Sequence, residues 1–225
     1  MKIVILPGLD GTGILLSEIE ELLAPKHVVV SLQYPTNLCR YEDLQTWVEE
    51  RLPKGDFIIV AESFSGPLAV MLASKRIASL RGVVFVATFV KAPRSLPSIL
   101  TYAIEYMPVK SRLLTWLAQP ILMGKWSKTG FTAKFRQAMN LVPTSTIAGR
   151  LREVLKVDVV EKLGRLDTPF IYLQATHDRL VPAKMSHDFQ VSPDTVVAIE
   201  GPHFLLQASF LQSAKQISDF AARCS

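Results

Sequence analysis

Phe57-Ile58-Ile59-Val60-Ala61-Glu62-Ser63-Phe64-Ser65-Gly66-Pro67-Leu68-Ala69-Val70 decides how the chain is read. An apolar run of strand length reaches one serine, passes two small residues and changes to helical period. The pattern is small-x-Ser-x-small, a variant of G-x-S-x-G in size but not in letters, with Ala61 and Ser65 at the flanking positions. Small flanks are required because such a turn brings strand and helix into close approach. The turn lifts the serine Oγ off the sheet edge and aims the amide of the next residue, Phe64, toward an incoming oxyanion. The same stretch also fits an ordinary strand, loop and helix in which Ser63 only caps the helix.

Working outward, continuous apolar runs at 3–6, 28–32, 57–61, 82–87, 169–175 and 195–199 read as strands, with amphipathic helical stretches between them. Unbroken β-branched runs alternating with helices predict a mostly parallel α/β sheet of about six strands with helices on both faces. The alternation stops at Thr88. Helical stretches are expected at 98–107, 111–123, 131–141 and 145–155, separated by prolines, and a structureless loop of that length is not credible in a compact domain. Residues 88–166 therefore read as a helical insertion in a core formed by 1–87 and 167–225.

The 225 residues are 49% hydrophobic and 20% charged, which excludes a disordered chain. Cys39 and Cys224 are too few and too far apart for a disulfide framework or a metal motif, so neither metal nor cofactor is expected. The first apolar run is too short for a signal peptide and no stretch approaches the ~18 apolar residues of a spanning helix. A cytoplasmic protein without nucleic-acid partners is expected. Charge is uneven: residues 88–166 hold 13 Lys and Arg against 4 Asp and Glu, and the rest of the chain 12 against 16. Such asymmetry suggests an acidic partner or an anionic surface, against the plainer reading of a solvated helical face.

A nucleophilic serine needs a base and an acid to orient it. In open parallel sheets those groups belong on loops at the carboxyl ends of strands. Asp178 follows the fifth strand in Thr176-His177-Asp178-Arg179-Leu180-Val181-Pro182, and His203 follows the sixth in Gly201-Pro202-His203-Phe204. His177 is the rival base, but it would share a loop with its acid. Asp178 as a mere turn residue and His203 as a capping or core histidine are the plainer readings. The glycine-rich loop after the first strand, Pro7-Gly8-Leu9-Asp10-Gly11-Thr12-Gly13, lacks the ending of a phosphate loop.

These three segments in the order Ser…Asp…His resemble an α/β-hydrolase of the serine esterase type over nearly all of the chain outside the insertion. The resemblance implies Ser63 as nucleophile, His203 as base, Asp178 as acid, and Leu9 as the second oxyanion donor beside Phe64. It departs from the family in opening the oxyanion loop with Pro7-Gly8 instead of His-Gly, and in lacking the usual preceding hairpin. It further implies that 88–166 forms a lid, whose Met107, Trp116 and Trp126 are candidates to line an apolar acyl pocket. The basic insertion is similar to that of pimeloyl-acyl-carrier-protein methyl ester esterases, which implies an acidic acyl carrier protein as a partner; Arg94, Arg112, Arg150 and Arg152 would form the docking surface. The expected activity is hydrolysis of a carboxylic ester or thioester with an apolar acyl group. An acyltransferase with the same triad and a non-catalytic binder of apolar ligands are the alternatives.

Overall fold

The computed structural model describes residues 1–93, 122–126 and 129–225. Six strands, β1 (Lys2–Leu6), β2 (Val28–Ser31), β3 (Phe57–Glu62), β4 (Leu80–Val86), β5 (Phe170–Ala175) and β6 (Val196–Ile199), form one sheet in the order β2-β1-β3-β4-β5-β6. Every strand pair is parallel, as the unbroken apolar runs require. Because strand side chains alternate, the strands inside the sheet feed two cores. Val4, Leu6, Phe57, Ile59 and Phe85 join one, and Ile3, Ile5, Ile58, Val60 and Val84 join the other.

Helices α1 (Ser17–Leu23), α2 (Tyr41–Glu49) and α3 (Ser65–Ala73) connect the first four strands. All nine residues of α3 are buried, so this helix is wrapped by the rest of the fold and shows no polar face. The edge strand β2 departs from the expectation of burial on both faces. Val28 and Val30 are 61% and 39% exposed, since β2 is the end strand of the sheet.

Among the described residues between β4 and β5 lie a 3-10 turn at Gly124–Trp126 and the helices α4 (Thr129–Leu141), α5 (Thr144–Lys156) and α6 (Val160–Gly164). The expected helices at 98–107 and most of 111–123 fall outside the described residues. Both described ends of the segment dock on the sheet: Phe89, Val90, Val159 and Leu163 belong to the same core as Phe85 and Leu68. The expected C-terminal helix is split into α7 (Leu205–Ala208) and α8 (Phe210–Arg223). Ser209 interrupts it, and its Oγ donates to the Glu200 carbonyl at 2.6 Å. Among the described residues, no helix is long and apolar enough to cross a membrane.

Candidate active site

The carboxyl ends of β3, β5 and β6 meet at one edge of the sheet. Ser63 stands between β3 and α3 with φ 50°, a left-handed conformation that a non-glycine residue adopts only where the surroundings enforce it. Here its amide donates to Val86 O of β4 at 2.9 Å, its carbonyl accepts from the Gly66 amide at 3.1 Å, and Thr88 Oγ1 also donates to that carbonyl. Thr88 fills the space over the first turn of α3. A Cβ on Gly66 would sit 2.0 Å from Thr88 Oγ1, so glycine is required there for close approach.

Ser63 Oγ lies 2.8 Å from His203 Nε2, and His203 Nδ1 lies 2.7 Å from Asp178 Oδ2. The histidine and aspartate side chains are buried, while Ser63 remains partly exposed. An ionised carboxylate only accepts, so the imidazole proton sits on Nδ1 and Nε2 is free to accept from the serine hydroxyl. The other Asp178 oxygen takes the amides of Leu180 and Val181, both at 2.8 Å, which fixes the carboxylate within its loop. His177 donates its amide to Gly201 O at 2.9 Å and so ties the loop after β5 to the loop after β6. Its exposed ring bonds Thr176 Oγ1 and packs on Trp126 with centroids 4.9 Å apart, so His203 is the histidine that reaches Ser63.

The loop after β1 faces this chain of hydrogen bonds. Gly8, Leu9, Ser63, Phe64 and His203 line one cavity of about 710 Å3. The loop is pinned to the turn at Ser63: Tyr34 hydroxyl and Ser65 Oγ are 2.6 Å apart, and Ser65 Oγ donates to Pro7 O. Tyr41 hydroxyl donates to Phe64 O at 2.9 Å. Among the described residues the amides of Leu9 and Phe64 have no backbone acceptor.

Away from the serine the cavity is apolar, with Phe89, Leu122, Phe135, Met139, Leu151 and Leu155 in its wall. Four of these six come from α4 and α5, and Leu122 from just before the 3-10 turn. Of the expected pocket residues, Met107 and Trp116 lie outside the described residues. Trp126 is not in the described wall: it packs beside Leu15, Met123 and Phe131, with its ring against His177 and Lys125. Trp126 ends the 3-10 turn and its ring is taken up by these contacts, which explains the difference.

Two residues play parts in the structure that the sequence reading did not give them. Glu62, 3% exposed, has its pKa pushed up to about 7 by burial; the neighbouring Gln207 and His203 pull it back and Asp10 adds to the rise. Gln207 lies close to it, yet Glu62 Oε1 and both Gln207 amide atoms lack a partner in hydrogen-bonding geometry. An acidic residue ending an unbroken apolar strand was the available signal. The second is Arg150. It was expected on a docking surface, but its side chain is fully buried and its donors are spent on backbone carbonyls. Helical periodicity shows which residues share a face, but not that a long cation reaches inward.

No protein-family model matches the chain and no curated protein matches it in sequence. Solved structures match its fold over nearly the whole length. An enol-lactonase from Burkholderia xenovorans superimposes with TM-score 0.85 at 14% identity, covering 98% of this chain and 90% of its own. A bromoperoxidase from Bacillus anthracis gives 0.84 at 14%, covering 98% and 91%. A thermophilic esterase from Thermogutta terrifontis gives 0.82 at 15%, covering 100% and 90%. The chain has the α/β-hydrolase fold. At these identities the likeness is one of architecture, and chemistry has to be argued from the site.

Proposed function

We propose that the protein is a serine hydrolase that cleaves carboxylic esters of apolar acyl groups through an acyl-enzyme on Ser63. The observation that carries this is the unbroken chain Ser63 Oγ, His203, Asp178, at 2.8 and 2.7 Å, opening into an apolar cavity. Two of the structural neighbours are named as an enol-lactonase and an esterase, which agrees with the reading. Ser63 Oγ attacks the acyl carbon as its proton passes to His203 Nε2; Asp178 stays ionised and stabilises the imidazolium. The amides of Phe64 and Leu9 hold the oxyanion. When the bond to the leaving oxygen or sulfur breaks, the leaving group takes the proton from His203. Water then attacks the acyl-enzyme, gives a proton to His203, and releases the acid and the serine.

The cavity favours a medium-length apolar acyl chain, because most of its wall is built from apolar side chains, with Asp10, Glu62 and Arg179 as its charged residues. A carrier-bound ester has less behind it: Arg94 and Arg112 of the expected docking surface lie outside the described residues. Arg150 is buried, and Lys91, Lys125 and Lys134 pair with Asp188, Glu200 and Glu18 of the sheet domain. The segment between β4 and β5 acts as the lid in this reading.

p-Nitrophenyl esters of increasing chain length test the proposal, with Ser63→Ala as control. Each methylene buried contributes about 0.8 kcal/mol, roughly a fourfold gain in kcat/KM, until the chain fills the cavity. Free acid is the expected product, and transfer of the acyl group to an added alcohol in preference to water would make the protein an acyltransferase. Turnover that survives in Ser63→Ala, or no turnover at any length, refutes the assignment.

A further inference from the structure

We propose that Arg150, reaching in from α5, is a positioning residue that sets the Leu9 amide for the oxyanion, an assignment that rests on the hydrolase reading above. The guanidinium donates from Nη1 to Leu9 O at 3.0 Å and Asp10 O at 2.9 Å, from Nη2 to Pro35 O at 3.0 Å, and from Nε to Leu38 O at 3.2 Å. Among the described residues it makes no ion pair, so the buried charge is held by carbonyls, with the Tyr34 ring 5.6 Å away and Asp10 nearby in support. Burying a charge without a counter-ion is expensive, and a lysine, as a point charge, could not serve four carbonyls at once.

What the cation holds is the loop that carries Leu9. Its successive carbonyls from Pro7 to Asp10 are each engaged: Pro7 O by Ser65 Oγ, Gly8 O by the Gly11 amide at 3.0 Å, and Leu9 O and Asp10 O by Arg150. The Leu9 N–H shares a trans peptide with Gly8 O and therefore points opposite to it, away from the turn. With the carbonyls on both sides clamped, that peptide cannot rotate. The fit leaves no slack. Gly11 has φ +70°, and a Cβ there would stand 2.5 Å from Arg150 Nη1. Thr146, one turn before Arg150 on α5, donates its Oγ1 to Thr36 O and seats the helix on the loop after β2. The segment between β4 and β5 thus holds part of the catalytic machinery as well as covering the site.

Arg150→Met and Arg150→Lys are the variants that decide this. In Arg150→Met, kcat on a p-nitrophenyl ester should fall about 10–100-fold with KM within about twofold, since a displaced oxyanion donor acts on the transition state. Affinity for n-butylboronic acid, which forms a tetrahedral adduct with the serine, should fall by the same factor, and Arg150→Lys should lie between. Amide hydrogen exchange of residues 8–13, read without substrate, should speed up by about tenfold while the sheet stays protected. A purely structural role would lower thermal stability and leave boronic acid affinity in the folded fraction unchanged, which overturns the proposal. Unchanged exchange of the loop also overturns it. If Arg150→Met does not fold, the same measurements on Arg150→Lys decide. A wild-type protein without Ser63-dependent turnover refutes the hydrolase reading, and the exchange arm tells that failure apart from failure of the clamp.

Discussion

Glu62 immediately precedes Ser63, and the groups facing it are Asp10 from the loop after β1, His203 from the loop after β6 and Gln207 from α7. Burial raises its pKa from 4.5 to about 7, so the folded protein holds a proton that the unfolded chain has lost. The sign follows from linkage. Between about pH 4.5 and 7 the native state binds more protons than the unfolded state, so this group's contribution to stability declines as pH rises and is level above pH 7. The decline amounts to up to about 3 kcal/mol. Glu62→Gln removes the titration while keeping the shape. Its stability relative to wild type should increase between pH 5 and pH 8, measured by urea unfolding at both. Parallel pH profiles for the two proteins would mean that Glu62 titrates as an exposed carboxylate does.

The turn from β3 into α3 rests on contacts that a size rule captures only in part. Ala61 and Ser65 satisfy the rule, but the tightest approach is at Gly66, against Thr88. Gly66→Ala should destabilise the fold by about 1–3 kcal/mol, the usual cost of overpacking, and should lower kcat by shifting Ser63. Unfolding and ester assays check both, and a variant as stable and active as wild type would show that Thr88 moves aside freely. Elements set by local pattern were legible in the sequence: six apolar runs gave six strands, and the order Ser63, Asp178, His203 placed three side chains that the structure brings within hydrogen-bonding distance. What the sequence hid depends on partners distant in the chain. Ser209 breaks the C-terminal helix through Glu200 O, Val28 and Val30 are exposed because β2 is the end strand of the sheet, and Arg150 turns inward because four carbonyls from two other loops await it. Periodicity records the face of an element and carries no information about which loop will meet it.

Across the whole molecule, part of the excess of positive charge in residues 88–166 finds its complement within the chain. Lys91 meets Asp188 at 2.8 Å, Lys125 meets Glu200 at 2.9 Å and Lys134 meets Glu18 at 3.1 Å, each joining the segment between β4 and β5 to the acidic remainder. The asymmetry that suggested an external acidic partner is thus partly an internal one. Lys125 also covers Trp126, whose ring packs on His177, next to Asp178, so these contacts bridge that segment and the loops of the site. The three pairs are largely exposed, and pairs of that kind contribute little singly and are screened by salt. Replacing Lys91, Lys125 and Lys134 together by alanine should lower Tm by about 2–5 °C at low ionic strength. Most of the difference should vanish in 1 M NaCl, where the screening length is about 3 Å. If the charges hold the segment over the cavity, the triple variant should also show a higher KM for long-chain esters with kcat unchanged. A Tm difference that persists undiminished in high salt would assign the loss to the packing of the lysine stems and not to their charge.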